Sequence, residues 1–342
     1  MKLLYISNVL GNRGFSPGIA ENLSKKFSDF ATVTIVSDKK NHVKRLFEMI
    51  FTICNKHKNL DLVLIDTFSG RSYYFAILCS YVCYLFNLKY ILVLRGGNLK
   101  FEFLRKKLIS KKILSNSCQI ISPSLFFEKS LKKMQIKSTY IPNYINIENY
   151  RFELRKKCMP KLLWVRSFHK VYNPEMAIYV THELNKIYPN VELCMVGPDK
   201  DGTLEKCKRL SNHLKIVKNV EFTGLLKKKD WISLSYNYDI FLNTTNYDNL
   251  PVSVLEVMAL GIPIVSTNAG GLKYLHNQES DGLLVEKNDI QMMKTNVIRL
   301  IENKKIAQSL SLNGRQKAKK FRWEKVKDLW KKVFESIEQQ NI

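Results

Sequence analysis

Short, continuous apolar runs alternate along this chain with longer stretches whose apolar positions recur every three and four residues. The runs at 3–6, 32–36, 62–65, 90–94, 119–122 and 139–141 predict six buried strands separated by helices, the signature of a parallel sheet wrapped on both faces. A polar, charged segment at 149–160 interrupts the pattern. It restarts with runs at 162–165, 192–196, 220–222, 240–242, 264–266 and 283–285, and closes with helical patterns. The last of these carries Trp323, Val326, Leu329, Trp330, Val333 and Ile337 on one face and should dock against the rest of the fold. The expectation is an α/β protein of two doubly wound, Rossmann-like domains, at 1–148 and 149–322, closed by a helix at 323–342. The span 73–94 reads as a core helix followed by a buried strand, because Asn87 and Lys89 break the ~20 apolar residues a membrane span requires.

One stretch, 243–275, breaks the apolar pattern in an informative way. Asp248, Asn249 and Leu250 precede Pro251, a helix-start signal, and Gly261 and Pro263 form a stop. The intervening helix, expected to begin near Leu250, is apolar almost all round and should be buried. At about 100° per residue, Asn249, Ser253 and Glu256 fall on one side of it. A buried carboxylate at Glu256 is costly unless it meets a cation or hydroxyl donors, or opens onto a cleft where a hydroxyl-rich ligand would serve.

Ligands of open α/β sheets bind beyond the carboxyl ends of the strands, so the residues that follow each run matter most. After the first run comes 7–18, whose glycines, Gly14 among them, either let backbone amides approach a phosphate or sugar or simply form a strand-to-helix turn. It spells neither a dinucleotide fingerprint nor a Walker loop. After the fourth come Arg95, Gly96, Gly97 and Asn98, which either hold an acceptor or phosphate or form a turn with an exposed arginine. After 162–165 come Arg166 and Lys170, two cations suited to a diphosphate. Asp248 could be a plain helix cap. Together with Glu256 and the Asn268-Ala269-Gly270-Gly271 turn, it instead outlines a polar pocket at a helix N-terminus that favours anions.

Charge adds a second theme. Of the formal net charge of +25, residues 1–148 supply 23 basic minus 9 acidic, or +14. The densest run holds Arg105, Lys106, Lys107, Lys111 and Lys112. Solvated helix faces and attraction to an anionic membrane both accommodate this excess. Nucleic acid is disfavoured as a partner, for want of a recognition motif or aromatic platform. Seven cysteines without a CxxC pair read as small buried hydrophobes in a reducing compartment, and the short first apolar run gives no signal peptide, so a cytoplasmic location is expected. No metal-ligand spacing is apparent.

The second half resembles the retaining, nucleotide-sugar-dependent glycosyltransferases of family four, the glycogen-synthase-like type. That family carries two acids with seven residues between them ahead of a small-residue helix and a Gly-x-Pro-Val strand. Here Asp248 and Glu256 precede Gly261-Ile262-Pro263-Ile264-Val265, with Asp in place of the usual first Glu. Further matches are Arg166 with Lys170, one residue closer than in the commoner pattern, Val196-Gly197-Pro198, 220–224 ending in Gly224, 239–242, Asn268 to Gly271, and Trp323-Glu324. The first half matches more loosely, through Gly14 to Gly18, Ser122-Pro123-Ser124 and Ile141-Pro142-Asn143-Tyr144.

The resemblance implies a GT-B fold, in which the two domains face a cleft and the helix at 323–342 crosses back to the first domain, and a nucleotide-diphosphate sugar donor, a UDP-sugar, in place of any bound cofactor. It implies a ribose-binding Glu256, a donor-sugar-binding Asp248, Arg166 and Lys170 on the diphosphate, and backbone groups of Asn249, Leu250, Val252, Ser253 and Val254 completing the donor site, with Gly197 and Gly224 bordering the base. No metal is needed. Where the family often has a His, this chain has Arg95, so Arg95, Gly96 and Asn98 mark the acceptor side, for a glycan or lipid-linked acceptor of surface polysaccharide or glycolipid synthesis and a peripheral place on the inner membrane face. The alternatives are a nucleotide-sugar epimerase of the same fold and a non-catalytic sugar- or membrane-binding subunit.

Overall fold

The computed structural model describes residues 1–11 and 17–339, so Gly14 lies outside the described residues. All twelve expected strands form, within a residue or two of the apolar runs: β1 Lys2–Ile6, β2 Thr32–Val36, β3 Leu62–Thr67, β4 Tyr90–Leu94, β5 Gln119–Ser122, β6 Thr139–Tyr140, β7 Lys161–Val165, β8 Glu192–Val196, β9 Val220–Gly224, β10 Ile240–Asn243, β11 Ile264–Thr267 and β12 Leu283–Val285. They make two six-stranded sheets, ordered β2-β1-β3-β4-β5-β6 and β12-β11-β10-β7-β8-β9. Every pairing is parallel. Runs such as Leu62–Thr67 are buried at every position because helices cover both faces of the sheet.

The chain divides into two compact units. Met1–Asn143 and Val326–Ile342 form the first, and Tyr144–Lys325 the second. The division falls earlier than the polar segment at 149–160 because Ile145 and Ile147 pack into the core of the second unit. That segment is no free linker either. Tyr150, Arg155 and Cys158 within it are buried.

In the first unit, helices His42–Lys56, Tyr73–Leu85 and Lys107–Ser115 follow β2, β3 and β4. The final helix, Trp323–Gln339, is part of this unit from Val326 onward and packs Trp330 and Phe334 edge-on to Phe27, with ring centroids 5.0 and 5.1 Å away. The Tyr73–Leu85 helix is only half a core element: Tyr73, Ala76, Cys79 and Cys83 are buried, whereas Tyr74, Tyr81, Tyr84 and Leu85 face solvent. Cys54 is exposed, against the expectation for the cysteines as a group, because it sits on the outer side of the His42–Lys56 helix.

In the second unit, the apolar helix spans Val252–Leu260 and is buried from Val254 to its end. It starts later than expected, at Val252, with Pro251 as the N-cap. Asn249 therefore lies outside the helix, and only Ser253 and Glu256 keep the three-residue spacing. Its last carbonyls are not left bare in the core. Arg315 donates to Ala259 O at 2.6 Å and Ser311 to Gly261 O at 2.6 Å, both from the neighbouring helix Lys304–Ala318.

Candidate functional site

The second sheet starts at its centre. From β7 the chain runs outward through β8 to β9, then returns to the other side of β7 as β10. Between β7 and β10 the winding reverses, and the loops leaving their carboxyl ends border the switch point where ligands of such sheets bind. The loop after β7 carries Arg166; the loop after β10 carries Asp248.

Cross-bracing holds these loops together. Trp164, inside β7, donates its indole N–H to Thr244 Oγ1 at 3.0 Å, and Thr244 Oγ1 in turn donates to Tyr172 O at 2.9 Å. Asn246 N donates to Val171 O at 2.8 Å, and Thr267 Oγ1 from β11 donates to Thr245 O at 2.6 Å. The result is a direct ion pair between Arg166 Nη2 and Asp248 Oδ2, while Asp248 Oδ1 accepts from the Asn249 amide at 2.9 Å. Asp248 is thus not the helix cap. It is a buried carboxylate aimed at the β7 loop.

Arg166 lies over the Tyr172 ring, 4.4 Å from its centroid, and its Nε is buried with no hydrogen-bond partner. A buried guanidinium nitrogen without an acceptor is costly, and an anionic ligand supplies one. Burial opposes the Arg166 charge more than any one neighbour favours it, but Asp248, Tyr172 and Glu256 together outweigh it, and the guanidinium pKa stands above its ordinary value. Burial also lifts the Asp248 carboxyl above its ordinary value, against the pull of Arg166 and the Asn249 amide.

Two glycines make the close approach of the loops possible. Gly197, at φ +153°, passes under the Arg166 carbonyl, where an added Cβ would stand 1.8 Å from its oxygen. Gly270, at φ +60°, brings the 268–271 turn so close to Asp248 that a Cβ would stand 2.1 Å from the Asp248 carbonyl oxygen. Gly271 N donates to that same oxygen at 3.0 Å. Gly197 N donates to Gly224 O at 2.8 Å, which places both base-bordering candidates at the adjoining ends of β8 and β9.

Glu256 is buried, and Oε1 meets both kinds of partner that burial demands: Tyr150 donates its hydroxyl at 2.8 Å and Lys228 its ammonium at 2.6 Å. Oε2 takes part in neither bond. Burial and then Glu256 push the Tyr150 hydroxyl far above its ordinary pKa, so it remains a donor. The amides of Val252, Ser253 and Val254 open the helix with no side-chain cap, an arrangement suited to an anion. Lys170 begins the short 3-10 turn Lys170–Tyr172; its backbone amide donates to Asp201 at 3.1 Å and its side chain is exposed.

Lys228, Tyr150 and Tyr172 were not singled out from sequence. Lys228 starts the helix after β9, so the strand-end rule that found Arg166 would also have found it. Tyr150 is hidden in the polar segment at 149–160, and only the folded chain brings it to Glu256.

The acceptor-side candidates lie in the first unit. Arg95 is not exposed there. Its Nε binds Asp66 Oδ1 at 2.9 Å, Nη1 binds Asn143 Oδ1 at 2.8 Å, and Nη2 binds Tyr5 Oη at 3.1 Å. Gly96 is pressed against the backbone at Ser69, and Asn98, at the N-cap of Leu99–Arg105, is exposed and makes no capping bond.

Two parallel six-stranded sheets wrapped by helices, with a cation and two acids gathered near the switch point of the second, define a two-domain α/β protein of the doubly wound class. Residues 146–317 match the model of the glycosyl transferases group 1 family, and the chain belongs to that family. An uncharacterised glycosyltransferase of Haemophilus influenzae is 28% identical over 257 residues, covering 72% of this chain and 70% of that protein. The UDP-Gal:alpha-D-GlcNAc-diphosphoundecaprenol alpha-1,3-galactosyltransferase of Escherichia coli is 24% identical over 223 residues, 59% of this chain and 56% of that protein. Among solved structures, the Anabaena protein HepE in complex with UDP-glucose shares the fold at a TM-score of 0.80 and 15% identity, covering 98% of this chain and all of that one. The fold is GT-B, and the protein is a glycosyltransferase.

Proposed function

We propose that the chain transfers a sugar from a nucleotide-diphosphate sugar, a UDP-sugar, to a hydroxyl of a glycan or lipid-linked acceptor, with retention of anomeric configuration, in surface polysaccharide or glycolipid synthesis at the cytoplasmic face of a membrane. The observation that carries this reading is the orphaned Nε of Arg166, held beside Asp248 and on the same unit as the uncapped amides of Val252, Ser253 and Val254. Those groups, with Lys170, receive the diphosphate. Asp248, with backbone groups of Asn249 and Leu250, holds the sugar hydroxyls. Glu256 turns Oε2 to the ribose while Lys228 and Tyr150 keep Oε1, and Gly197 and Gly224 border the base. The Escherichia coli relative, named for a diphosphoundecaprenol-linked acceptor, and the HepE complex with UDP-glucose support this choice of partners.

In the step itself, the acceptor oxygen bonds to the anomeric carbon as the carbon–oxygen bond to the diphosphate breaks on the same face. The acceptor proton passes to the departing phosphate oxygen, and a nucleoside diphosphate leaves. Arg166, Lys170 and the helix start meet the charge that develops on the leaving group, so the reaction needs no metal.

A thermal-shift panel of nucleotide sugars on wild type and Glu256→Ala tests the reading. A matching donor at a hundred times its dissociation constant stabilises the protein by about 2.7 kcal/mol. The shift should appear with one donor and vanish in the variant. No shift with any nucleotide sugar at millimolar concentration would overturn the proposal.

A further inference from the structure

Large apolar side chains are exposed very unevenly in this protein. Of the twenty-two that are well exposed among the described residues, fourteen lie between Val43 and Leu125 of the first unit. Ring contacts show how they are arranged. His42 meets Phe75 at 5.8 Å and His57 meets Phe86 at 4.4 Å, so the helices His42–Lys56 and Tyr73–Leu85 run side by side in the same direction. On the other flank, the Lys106 ammonium lies 4.6 Å from the Tyr74 ring centre and Lys112 lies 5.7 Å from that of Tyr84, which sets Lys107–Ser115 alongside in the same sense.

The outward stripe of this three-helix layer follows from helical spacing. Val43, Phe47 and Phe51 recur every four residues on the first helix and are 76%, 70% and 57% exposed, and Leu108 on the third is 84% exposed. Between them, Tyr74, Leu78, Tyr81 and Leu85 form the ridge of the middle helix. Leaving such a surface in water costs roughly 25 cal/mol per Å² of apolar area, and contiguous patches of this kind mark interaction surfaces.

The charges around it indicate what covers it. Residues 42–115 hold thirteen Lys and Arg against four Asp and Glu. Of the four acids, Asp66 and Glu102 are withdrawn into buried ion pairs with Arg95 and Lys106. What faces out is cationic, with Lys44, Lys107, Lys111 and Lys112 all exposed. Tyrosines that stack under lysines, beside bare Phe and Leu, match the composition of a membrane interface, where phenols sit at headgroup level and apolar side chains enter the acyl boundary. No helix among the described residues is long and apolar enough to cross a membrane.

We infer that the outer face of this three-helix layer docks on an anionic lipid bilayer, with Phe47, Phe51, Tyr81 and Leu108 entering the interface and Lys107 and Lys111 on the headgroups. The inference names the surface that brings the enzyme to a lipid-linked acceptor, and it rests on the transfer reading for that acceptor alone.

Co-sedimentation of the full chain with phosphatidylcholine vesicles, with and without phosphatidylglycerol, at low and high salt, tests it. Binding should require the anionic lipid and weaken in salt. The double variant Phe47→Ser, Leu108→Ser should bind about tenfold more weakly at either salt. The variant Lys107→Glu, Lys111→Glu should lose at least twentyfold at low salt, at roughly fivefold per cation. Because both lysines are exposed, the pair decides the matter if the apolar variant fails to fold. Absence of wild-type binding at low salt overturns the inference, as does equal binding by both folded variants. So does a light-scattering dimer that Phe47→Ser dissociates while no vesicle is bound, which would assign the face to a second copy. Donor-induced thermal shifts should survive in both variants. Lost vesicle binding with an intact donor shift counts against the docking face only, and vesicle binding without any donor shift counts against the transfer reading only.

Discussion

Each sheet of this enzyme places an arginine at the carboxyl end of a strand, paired with a buried aspartate beside the point where the winding reverses, yet the two pairs are finished differently. In the first unit, Arg95 is bonded through Nε, Nη1 and Nη2 to Asp66, Asn143 and Tyr5. In the second, Arg166 reaches Asp248 through Nη2 alone and leaves Nε without an acceptor. The residue types and topological positions are nearly the same. What separates a strut from a binding group is the number of donor atoms the protein leaves unsatisfied, because an unmet buried donor is costly until a ligand arrives.

Removing each arginine should split the pair most sharply. Arg166→Ala should lower kcat/KM by about a thousandfold, the scale for deleting a group that stabilises charge in a transition state, and should cost some stability as well, because buried Asp248 loses its ion pair. Steady-state kinetics alongside calorimetry would check both halves. Arg95→Ala should instead cost about 3–5 kcal/mol of stability, since it strands Asp66 as an unpaired buried charge, and chemical denaturation would show it. If Arg95→Ala kept full stability and lost only activity, the distinction between strut and binding group would fail.

Protonation offers a subtler test, in which two buried acids of the second unit should respond to pH with opposite sign. Burial raises Asp248 above its ordinary value of 3.8, so the folded state holds the proton at a pH where the unfolded chain has released it. Stability relative to Asp248→Asn should therefore increase as pH falls through the raised folded value toward 3.8. Asp281 is also pushed up by burial, but the bonds from His276, Lys317 and the Asn277 amide outweigh that and hold it below 3.8. Its contribution is complete above 3.8 and is lost as pH falls through the lowered value. Urea midpoints for wild type, Asp248→Asn and Asp281→Asn across the acid range would separate the two slopes. The smallest effect should come from Tyr150→Phe, which removes one hydrogen bond to Glu256 and should weaken donor binding or stability by about 1 kcal/mol.

The strands were legible because each is a short apolar run closed by turn residues, and burial on both faces leaves no alternation to misread. Asp248, Glu256 and Arg166 were legible for a related reason: charge at a strand end, or inside an apolar helix, is expensive enough to need an explanation. The partners were not. Lys228 is one lysine of a run of three, Tyr150 sits in a segment that looks like a linker, and Tyr172 is an ordinary aromatic until the loop folds it beneath a guanidinium. Arg95 read either as an acceptor or phosphate contact or as an exposed turn residue, because Tyr5, Asp66 and Asn143 reach it from β1, β3 and the segment after β6, across separations that no local pattern reports. The outer apolar stripe was missed for a different reason. The His42–Lys56 helix carries apolar residues on two sides, and periodicity does not say which side the sheet takes.

Gly270 sets a limit on how this protein can change over time. The Asp248 carbonyl occupies the space that a methyl group on Gly270 would fill. Enlarging Gly270 would shift a carboxylate while altering no charge and deleting no bond donor. The position of Asp248, the acid proposed to hold the sugar, is therefore inherited through a volume constraint in a neighbouring turn, and on that proposal a lineage could lose or retune its sugar preference by gaining one carbon atom there, with every chemically recognisable residue of the site still in place.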